Sequence, residues 1–381
     1  MAKIVGERCN IFLQKLIGPA LTALLAGSPV PVISAPYFSG LGLPSFVPGT
    51  SSEAHDVSAD GSVVTGFSTV LDSTMTAFMT PFVWTRSTGM VGFAPVPGQS
   101  SAIGDAISDD GSVVVGTSLG GPPAVPFRWT QAGGTQSLGF AGEGFEISAD
   151  GSTIVGRGGG AWRWTAAGGR QFIGDPTSQA FGVSADGSVI IGNVRVSDDH
   201  VEAFRWTAAG GLVPLGELPG GAVGSQGRAV SNDGDVVAGV TSSSLGNEAF
   251  RWTIAGGMQG LGDLSGGSFS SDAIGISGDG SVIVGAGTGP SGTVAVYWDD
   301  TGIHDLRDVL VTDLGLDLTG WTLSKAYSAS DDGKVIVGYG IDPRGLTEAF
   351  IADLHVPEPR GIAIVATGLF VFAMQRRRSS S

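Results

Sequence analysis

The residues of this chain with chemistry to offer recur at intervals. Seven aspartates, Asp60, Asp110, Asp150, Asp186, Asp233, Asp279 and Asp332, are each followed by a glycine: Gly61, Gly111, Gly151, Gly187, Gly234, Gly280 and Gly333. One carboxylate in seven equivalent places admits two readings. Calcium takes six to eight oxygens, usually from several acidic positions of one loop. The phrase Ser-Ala-Asp-Gly-Ser brings one carboxylate per copy, which is poor for a metal. Asp-Gly between two β-branched runs is instead a strong hairpin signal, because both residues tolerate positive φ. A Ser stands two residues ahead of each Asp and can bond the turn amides. The expectation is seven structural hairpin turns and no metal site.

The remaining candidates are scattered. Ser197-Asp198-Asp199-His200 has the residue types of a metal ligand set, but one short cluster reads better as a solvated loop. His55, His304 and His355 adjoin no Ser or Cys nucleophile motif, and there is no H-E-x-x-H and no Walker-type loop. No catalytic residue and no cofactor site is expected on these grounds.

Composition limits what surrounds these residues. Glycine is 64 of 381 residues, charged residues are 14% and hydrophobic residues 42%. So much glycine excludes long helices, because each costs about 1 kcal/mol relative to Ala in a helix. The apolar content excludes a disordered tail. The net charge of −15 argues against nucleic acid, whose phosphates need a Lys/Arg field.

The elements that carry the aspartates form a repeat. The phrase Val57–Gly66 returns at Ile107–Gly116, Ile147–Gly156, Val183–Gly192, Val230–Gly239, Ile276–Gly285 and Ala329–Gly338. The aspartates are spaced by 50, 40, 36, 47, 46 and 53 residues, which is the range of propeller blades. A second phrase follows each: Phe82-Val-Trp84-Thr85, Phe127-Arg-Trp129-Thr130, Trp162-Arg-Trp164-Thr165, Phe204-Arg-Trp206-Thr207, Phe250-Arg-Trp252-Thr253 and Val296-Tyr-Trp298-Asp299, with a degenerate copy at Ala349–Asp353. Alternation puts Phe and Trp on one, core-facing side of a strand and Arg on the other. A glycine turn and a short Leu-Gly strand complete four strands per repeat, one blade. Tyr37–Leu43 looks like a fourth strand with no repeat before it, and nothing equivalent follows Leu354, so the N-terminal strand is expected to complete the last blade. The expected fold is all-β: a seven-bladed β-propeller of four-stranded repeats over residues 36–355, flanked by apolar helical targeting segments.

Those segments are legible as an address. Lys3, Arg8 and Lys15 precede an apolar run from Leu16 to Gly27 and small residues beyond it, the pattern of a secretory signal peptide within 1–35. Cys9, the single cysteine, leaves with it, so the mature chain would have no disulfide. At the other end Val356-Pro357-Glu358-Pro359 leads into an uncharged stretch, Gly361–Met374, and then Arg376, Arg377 and Arg378. Fourteen helical residues span about 21 Å, short of the roughly 30 Å hydrocarbon core. The arginines would stay cytoplasmic and leave the bulk of the chain outside. A plain C-terminal anchor is the alternative to a signal that is cut.

The tail, 356–381, resembles the PEP-CTERM sorting signal of Gram-negative bacteria, with the departure that only Arg360 separates the motif from the apolar run. That resemblance implies a short transmembrane segment processed by a membrane-embedded exosortase. The repeats, about residues 37–354, resemble the HAF repeat family of probable extracellular proteins, whose His-Ala-Phe triplet appears here as Glu202-Ala203-Phe204, Glu248-Ala249-Phe250 and Glu348-Ala349-Phe350. HAF repeats and PEP-CTERM tails are known to occur together, and neither implies an activity. The expectation is an exported, non-enzymatic cell-surface or extracellular-matrix interaction or structural protein. Its partners would be an exosortase-type protease, the inner membrane in transit, and an extracellular polysaccharide or another surface protein. The alternative is a secreted carbohydrate-active enzyme, a glycoside hydrolase or lyase, on the same scaffold. Carboxylates meeting at a funnel from different blades would not show in a sequence.

Overall fold

Short alternating runs broken by glycine turns cannot make anything but small antiparallel sheets, and seven of them form. The computed structural model describes residues 35–42, 49–71, 76–221 and 224–356. The signal-peptide segment up to residue 34, and the tail from Pro357 with its glutamate and three arginines, lie outside the described residues. No helix among the described residues is long and apolar enough to cross a membrane.

Blade 1 is β2 (Gly49–Val57), β3 (Val63–Leu71), β4 (Ala77–Thr85) and β5 (Gly89–Gly92). Five more blades repeat this order, each beginning with its innermost strand: β6 (Ser101–Ile107), β10 (Glu143–Ile147), β14 (Gln179–Val183), β18 (Ser225–Val230) and β22 (Asp272–Ile276). Blade 7 has β26 (Thr322–Ala329), β27 (Val335–Ile341) and β28 (Thr347–Asp353), and its outer strand is β1 (Tyr37–Gly40). β1 runs antiparallel to β28, from Tyr37 opposite Asp353 to Gly40 opposite Phe350. The fold is a seven-bladed β-propeller closed by its N-terminal strand, which removes the free edge that β28 would otherwise present.

The core lies in the wedges between blades. Phe82, Phe127, Phe204, Phe250 and Phe350 occupy one site on the third strand of their blades and are wholly buried; Trp162 and Val296 take that place in blades 3 and 6. Each such side chain contributes about 1.5–3 kcal/mol. The companion Trp was expected in the core as well. Trp84 and Trp298 are buried, but Trp129, Trp164, Trp206 and Trp252 are only half-buried. The Arg163 guanidinium stands 5.7 Å from the ring of Trp206 across a blade seam. These rings therefore serve seams as much as cores.

The Asp-Gly phrases form hairpin turns between the first and second strands of each blade, as expected. In blade 1 Gly61 N–H donates to the Ser58 carbonyl at 2.8 Å, so the β-turn is Ser58–Gly61 with Ala59 and Asp60 at its centre. Gly61 follows at a φ of +74°. Asp60 Oδ1 accepts from the Ser58 hydroxyl at 2.8 Å and from Ser62 N–H at 2.9 Å, while Val63 N–H donates to Ser58 Oγ at 3.0 Å. The same set recurs in all seven blades. The aspartate side chain satisfies an amide two residues on, which widens the loop beyond a bare dipeptide corner. A Cβ on Gly61 would stand 2.5 Å from the Val335 side chain of the preceding blade, and the other six glycines meet the preceding blade likewise.

The residue before each of these aspartates links one blade to the next. Ala59 N–H donates to the Asp109 carbonyl, Asp109 to Ala149, Ala149 to Ala185, Ala185 to Asn232 and Asn232 to Gly278; Asp279 N–H donates to Asp331, and Asp331 back to Ala59, at 2.9–3.3 Å. Seven hydrogen bonds thus close a ring around one end of the central channel.

Every innermost strand also carries a β-bulge. The register slips between Ala54 and Asp56, Gly104 and Ala106, Gly144 and Glu146, Ala180 and Gly182, Gly227 and Ala229, Ala273 and Gly275, and Ala326 and Ser328. The bulge pushes a carbonyl of the innermost strand against the last glycine of the repeated phrase. A Cβ on Gly66, Gly116, Gly156, Gly192, Gly239, Gly285 or Gly338 would overlap that oxygen outright. Gly192→Ala should therefore cost about 3 kcal/mol through overpacking. Gly211→Ala, at φ +67° with nothing within 4 Å of the added carbon, should cost about 1 kcal/mol. Denaturant titration of both variants checks this, and equal losses would show that the close approach is not the constraint.

Candidate functional site

A bulge leaves one residue unpaired and re-aims its side chain. In the seven innermost strands those residues are His55, Asp105, Phe145, Phe181, Arg228, Ile274 and Tyr327, and all seven line the central channel, a cavity of about 240 Å³. Each stands five residues before its repeat's aspartate. The scaffold around this column is nearly invariant from blade to blade, but the column itself contains an imidazole, a carboxylate, a phenol, a guanidinium and three apolar side chains. What does not repeat is therefore gathered in one place.

Three of the four polar members, Tyr327, His55 and Asp105, stand on blades 7, 1 and 2, and Arg228 stands apart on blade 5. His55 Nδ1 lies 3.6 Å from Asp105 Oδ1, and its Nε2 lies 3.9 Å from Glu53 Oε2. Tyr327 donates its hydroxyl to Glu53 Oε2 at 3.3 Å, and its ring packs on His55 with centroids 4.9 Å apart. Asp56, next in the strand, accepts from the Ser328 hydroxyl at 2.6 Å and from Ile107 N–H at 2.8 Å. It ties blade 1 to both of its neighbours. Glu146 of blade 3 also lines the channel, and its Oε1 accepts from Ile147 N–H at 2.8 Å.

Burial sets the protonation of this cluster. It pulls the His55 pKa down, but the hydrogen bonds and charges of Asp105 and Glu53 outweigh it and hold the group up at about 9. His55 is an imidazolium at neutral pH. Burial pushes Asp56 up to about 6, against the hydrogen bonds from Ser328 and Ile107. Glu146 stands well above the ordinary carboxylate value, by burial first and by the charge of Asp56 second. Burial also raises Asp105, and the His55 cation opposes it. Asp109 is raised by burial and then by the charge of Asp331, two places away around the ring of turns.

The residues singled out from the sequence go elsewhere. The seven aspartates sit in the turns, with their carboxylates engaged by Ser hydroxyls and amides; hydrogen bonds from Ser112 and Ser108 hold Asp110 below the usual carboxylate range. Asp198 and Asp199 form the turn between β15 (Val189–Ser197) and β16 (His200–Thr207), and His200 faces Glu202 at 3.5 Å and Glu217 at 3.3 Å. His304 pairs with Asp299 at 3.0 Å and stacks on Tyr297. Among the described residues no three His, Cys, Asp or Glu groups are placed to hold a metal ion. Val356 is exposed, and the rest of the sorting motif lies outside the described residues. The string Gly116-Thr117-Ser118-Leu119-Gly120 has the letters of a nucleophile elbow. It runs along and just past β7 (Val113–Leu119), and Ser118 is buried and accepts from Val96 N–H at 3.1 Å. It is a strand residue bonded to a loop, with no helix behind it.

No protein-family model matches the chain, and no match is found among curated proteins. Among solved structures it is similar to the β-propeller domain of the trilobed protease from Pyrococcus furiosus, at 11% identity and a TM-score of 0.54, over 80% of this chain and 96% of that one. It is also similar to an acylaminoacyl peptidase, at 11% identity and a TM-score of 0.55, over 81% of this chain and 52% of that one. TolB from Acinetobacter baumannii matches at 12% identity and a TM-score of 0.44, over 82% of this chain and 66% of that one. The chain thus spans about two thirds of that TolB and about half of that peptidase. The likenesses to the Pyrococcus domain and the acylaminoacyl peptidase show the propeller fold. The Pyrococcus domain is described as an open velcro, whereas here β1 closes the last blade.

The channel cluster gives stability a definite slope with pH. Asp56, Glu146 and His55 hold their protons more tightly folded than unfolded. Their contribution is complete below the unfolded values and is lost as pH rises through the folded ones. For Asp56 that window runs from 3.8 to about 6, and for His55 from 6.5 to about 9. Melting temperature should fall from pH 5 to pH 9, and Glu146→Gln should flatten the acidic limb. A melting temperature that rises over this range would refute the protonated cluster.

Proposed function

We propose that this chain is an exported, non-enzymatic propeller of the HAF-repeat kind that acts as an interaction protein at the cell surface or in the extracellular matrix. Its address rests on the two ends of the sequence: a leader within 1–35 that starts export, and the Val356–Pro359 motif with its apolar run and Arg376–Arg378, which resist crossing. An exosortase-type protease then cuts near Glu358. The partner is an extracellular polysaccharide or another surface protein, met at the channel mouth opposite the ring of turns.

One observation favours binding over catalysis. The polar groups of the channel are engaged with one another across blade seams. Both oxygens of Asp56 accept hydrogen bonds, and His55 lies between two carboxylates. A general base or nucleophile needs a free lone pair facing substrate. A second reading has its own support: Glu146 holds its proton beside the Asp56 carboxyl, and a neutral acid near a carboxylate is the pair that glycoside cleavage uses.

Mass spectrometry of the mature protein should find a C-terminus near Glu358 in surface material. Recovery of a chain still carrying Arg378 would leave a membrane-anchored propeller. Assays with chromogenic glycosides should show no turnover. Turnover that disappears in both Glu146→Gln and Asp56→Asn would replace binding with hydrolysis.

A further inference from the structure

The two ends of the channel differ in how far their polar groups are satisfied. At the end ringed by turns, backbone pairs with backbone. At the other end, on the side of blades 5 to 7, a cleft of about 560 Å³ opens, inside the 300–1,000 Å³ range of small-molecule sites. Gln226, Asp272 and Lys325 line it, each seven residues before the aspartate of its repeat, near the start of β18, at the head of β22 and within β26. Arg228, the bulge residue of blade 5, belongs to both the cleft and the channel. Asn247 and Ser270 stand on the far wall, fixed by a bridge between them and by Ser271 N–H donating to the Asn247 carbonyl at 3.0 Å.

Some hydroxyls here belong to the scaffold. Ser225 donates to the Gly216 carbonyl at 2.6 Å and Ser271 to the Gly262 carbonyl at 2.7 Å. The side chains of Gln226, Asn247 and Ser270 have no partner among the described residues, and Lys325 has no carboxylate within ion-pair distance. Arg228 Nη2 stands 3.6 Å from Asp272 Oδ2, beyond hydrogen-bond length. The Arg228 and Asp272 side chains remain 35% and 32% exposed to the cleft. The lining contains no aromatic ring, and its apolar members are small: Val201, Val240 and Ala286. An apolar ligand would bury these amides and charges without partners, which is costly. A hydroxyl-rich ligand satisfies them.

Charge narrows the class. The chain carries −15 overall, yet this cleft places an arginine on blade 5 and a lysine on blade 7. Asp272 lies between them, and Asp199 stands at the rim. Asp272 already takes Arg228 as its ion-pair partner, so Lys325 is the cation left to a ligand carboxylate, and free amides and a hydroxyl on the other wall suit sugar hydroxyls. We propose that this cleft binds a saccharide bearing a carboxylate, a uronic-acid sugar, with its acid group on Lys325 and its hydroxyls on Gln226, Asn247 and Ser270. The inference deepens the surface-interaction reading and rests on it for where such a saccharide is met.

Calorimetric titration of the full-length protein with digalacturonate, cellobiose and inorganic phosphate tests it. Digalacturonate should bind at least tenfold more tightly than cellobiose, and added salt should weaken it. Lys325→Gln should cost about tenfold for digalacturonate and nothing for cellobiose, and Asn247→Ala should weaken both sugars, with unchanged melting curves confirming that the variants fold. Absence of digalacturonate binding, phosphate that competes as well as the sugar acid, or a Lys325→Gln variant with unaltered affinity would each overturn the proposal. These outcomes are separate from the sorting reading: a correctly cut C-terminus with no sugar binding removes only the cleft, and an intact Arg378 removes only the processing step.

Discussion

In every blade one carbonyl oxygen of the innermost strand presses against a glycine of the second strand, and the propeller's interior depends on that contact. Any side chain at Gly66 or its six equivalents would collide with the oxygen, so the strand pair can form only around glycine. The pressure comes from a β-bulge, and the bulge is what turns His55, Asp105, Arg228, Tyr327 and their counterparts into the lumen. The glycine that ends the repeated phrase and the variable residue that lines the channel are thus two sides of one geometric arrangement. The repeated letters hold the frame. The residue five before each aspartate is released from the ladder, so it is free to vary in chemistry without weakening the sheet.

The second constraint acts between blades rather than within them. Gly61 and its equivalents approach the first side chain of the preceding blade's second strand, and the residue just before each aspartate passes a hydrogen bond around the ring. Asn232 and Asp331 add a side-chain bond of 3.1 Å over Gly278, where a Cβ would not fit. One short motif therefore makes a turn, packs a seam and closes a mouth. This explains why the motif is kept in every copy while the outer strands drift, as in blade 6, where Val296-Tyr297-Trp298 replaces Phe-Arg-Trp.

Blade number, strand order and closure by Tyr37–Gly40 were legible because they rest on local signals repeated at a fixed spacing. The Asp-Gly hairpin turns and the Ser that bonds a turn amide were legible too, but not the hydrogen bond from the Ser58 hydroxyl to Asp60, since it joins two side chains. The half-exposed Trp129, Trp164, Trp206 and Trp252 were placed too deep, since strand alternation gives a face but not the distance from a neighbouring blade. The channel was not legible in any single repeat. Glu53 and Tyr327 are 274 residues apart, and Asp56 and Ser328 are 272 apart, yet each pair is hydrogen-bonded. A signal did exist: with the repeats superposed on their aspartates, the fifth residue before each is the column whose chemistry changes most. Reading down that column would have found His55, Asp105, Arg228 and Tyr327. Glu53, Asp56 and Glu146, at neighbouring positions, would still have been missed.

The location of the buried polar cluster bears on its cost. Burying charged groups seldom adds net stability compared with an apolar core, so a cluster of imidazolium and carboxylates needs another reason to be where it is. The wedges between blades are chemically alike, filled by Val, Ile, Ala and Phe around the whole ring. Nothing in such packing distinguishes the seam between blades 7 and 1, where the last strands of the chain must dock on the first blade, from the six seams between blades consecutive in sequence. The polar contacts fall at that junction. Asp56 takes Ser328 across it, Glu53 takes the Tyr327 hydroxyl, the Tyr327 ring packs on His55, and Asp331 N–H reaches Ala59. Hydrogen bonds are directional and charges are selective, so a shifted or incomplete closure would leave His55 and Asp56 buried without partners, at several kcal/mol. Apolar wedges make every seam stable, and the cluster makes this one seam specific. Its residues hold the ring shut along that seam, which leaves the cleft around Arg228 and Lys325 as the part whose polar groups still face solvent.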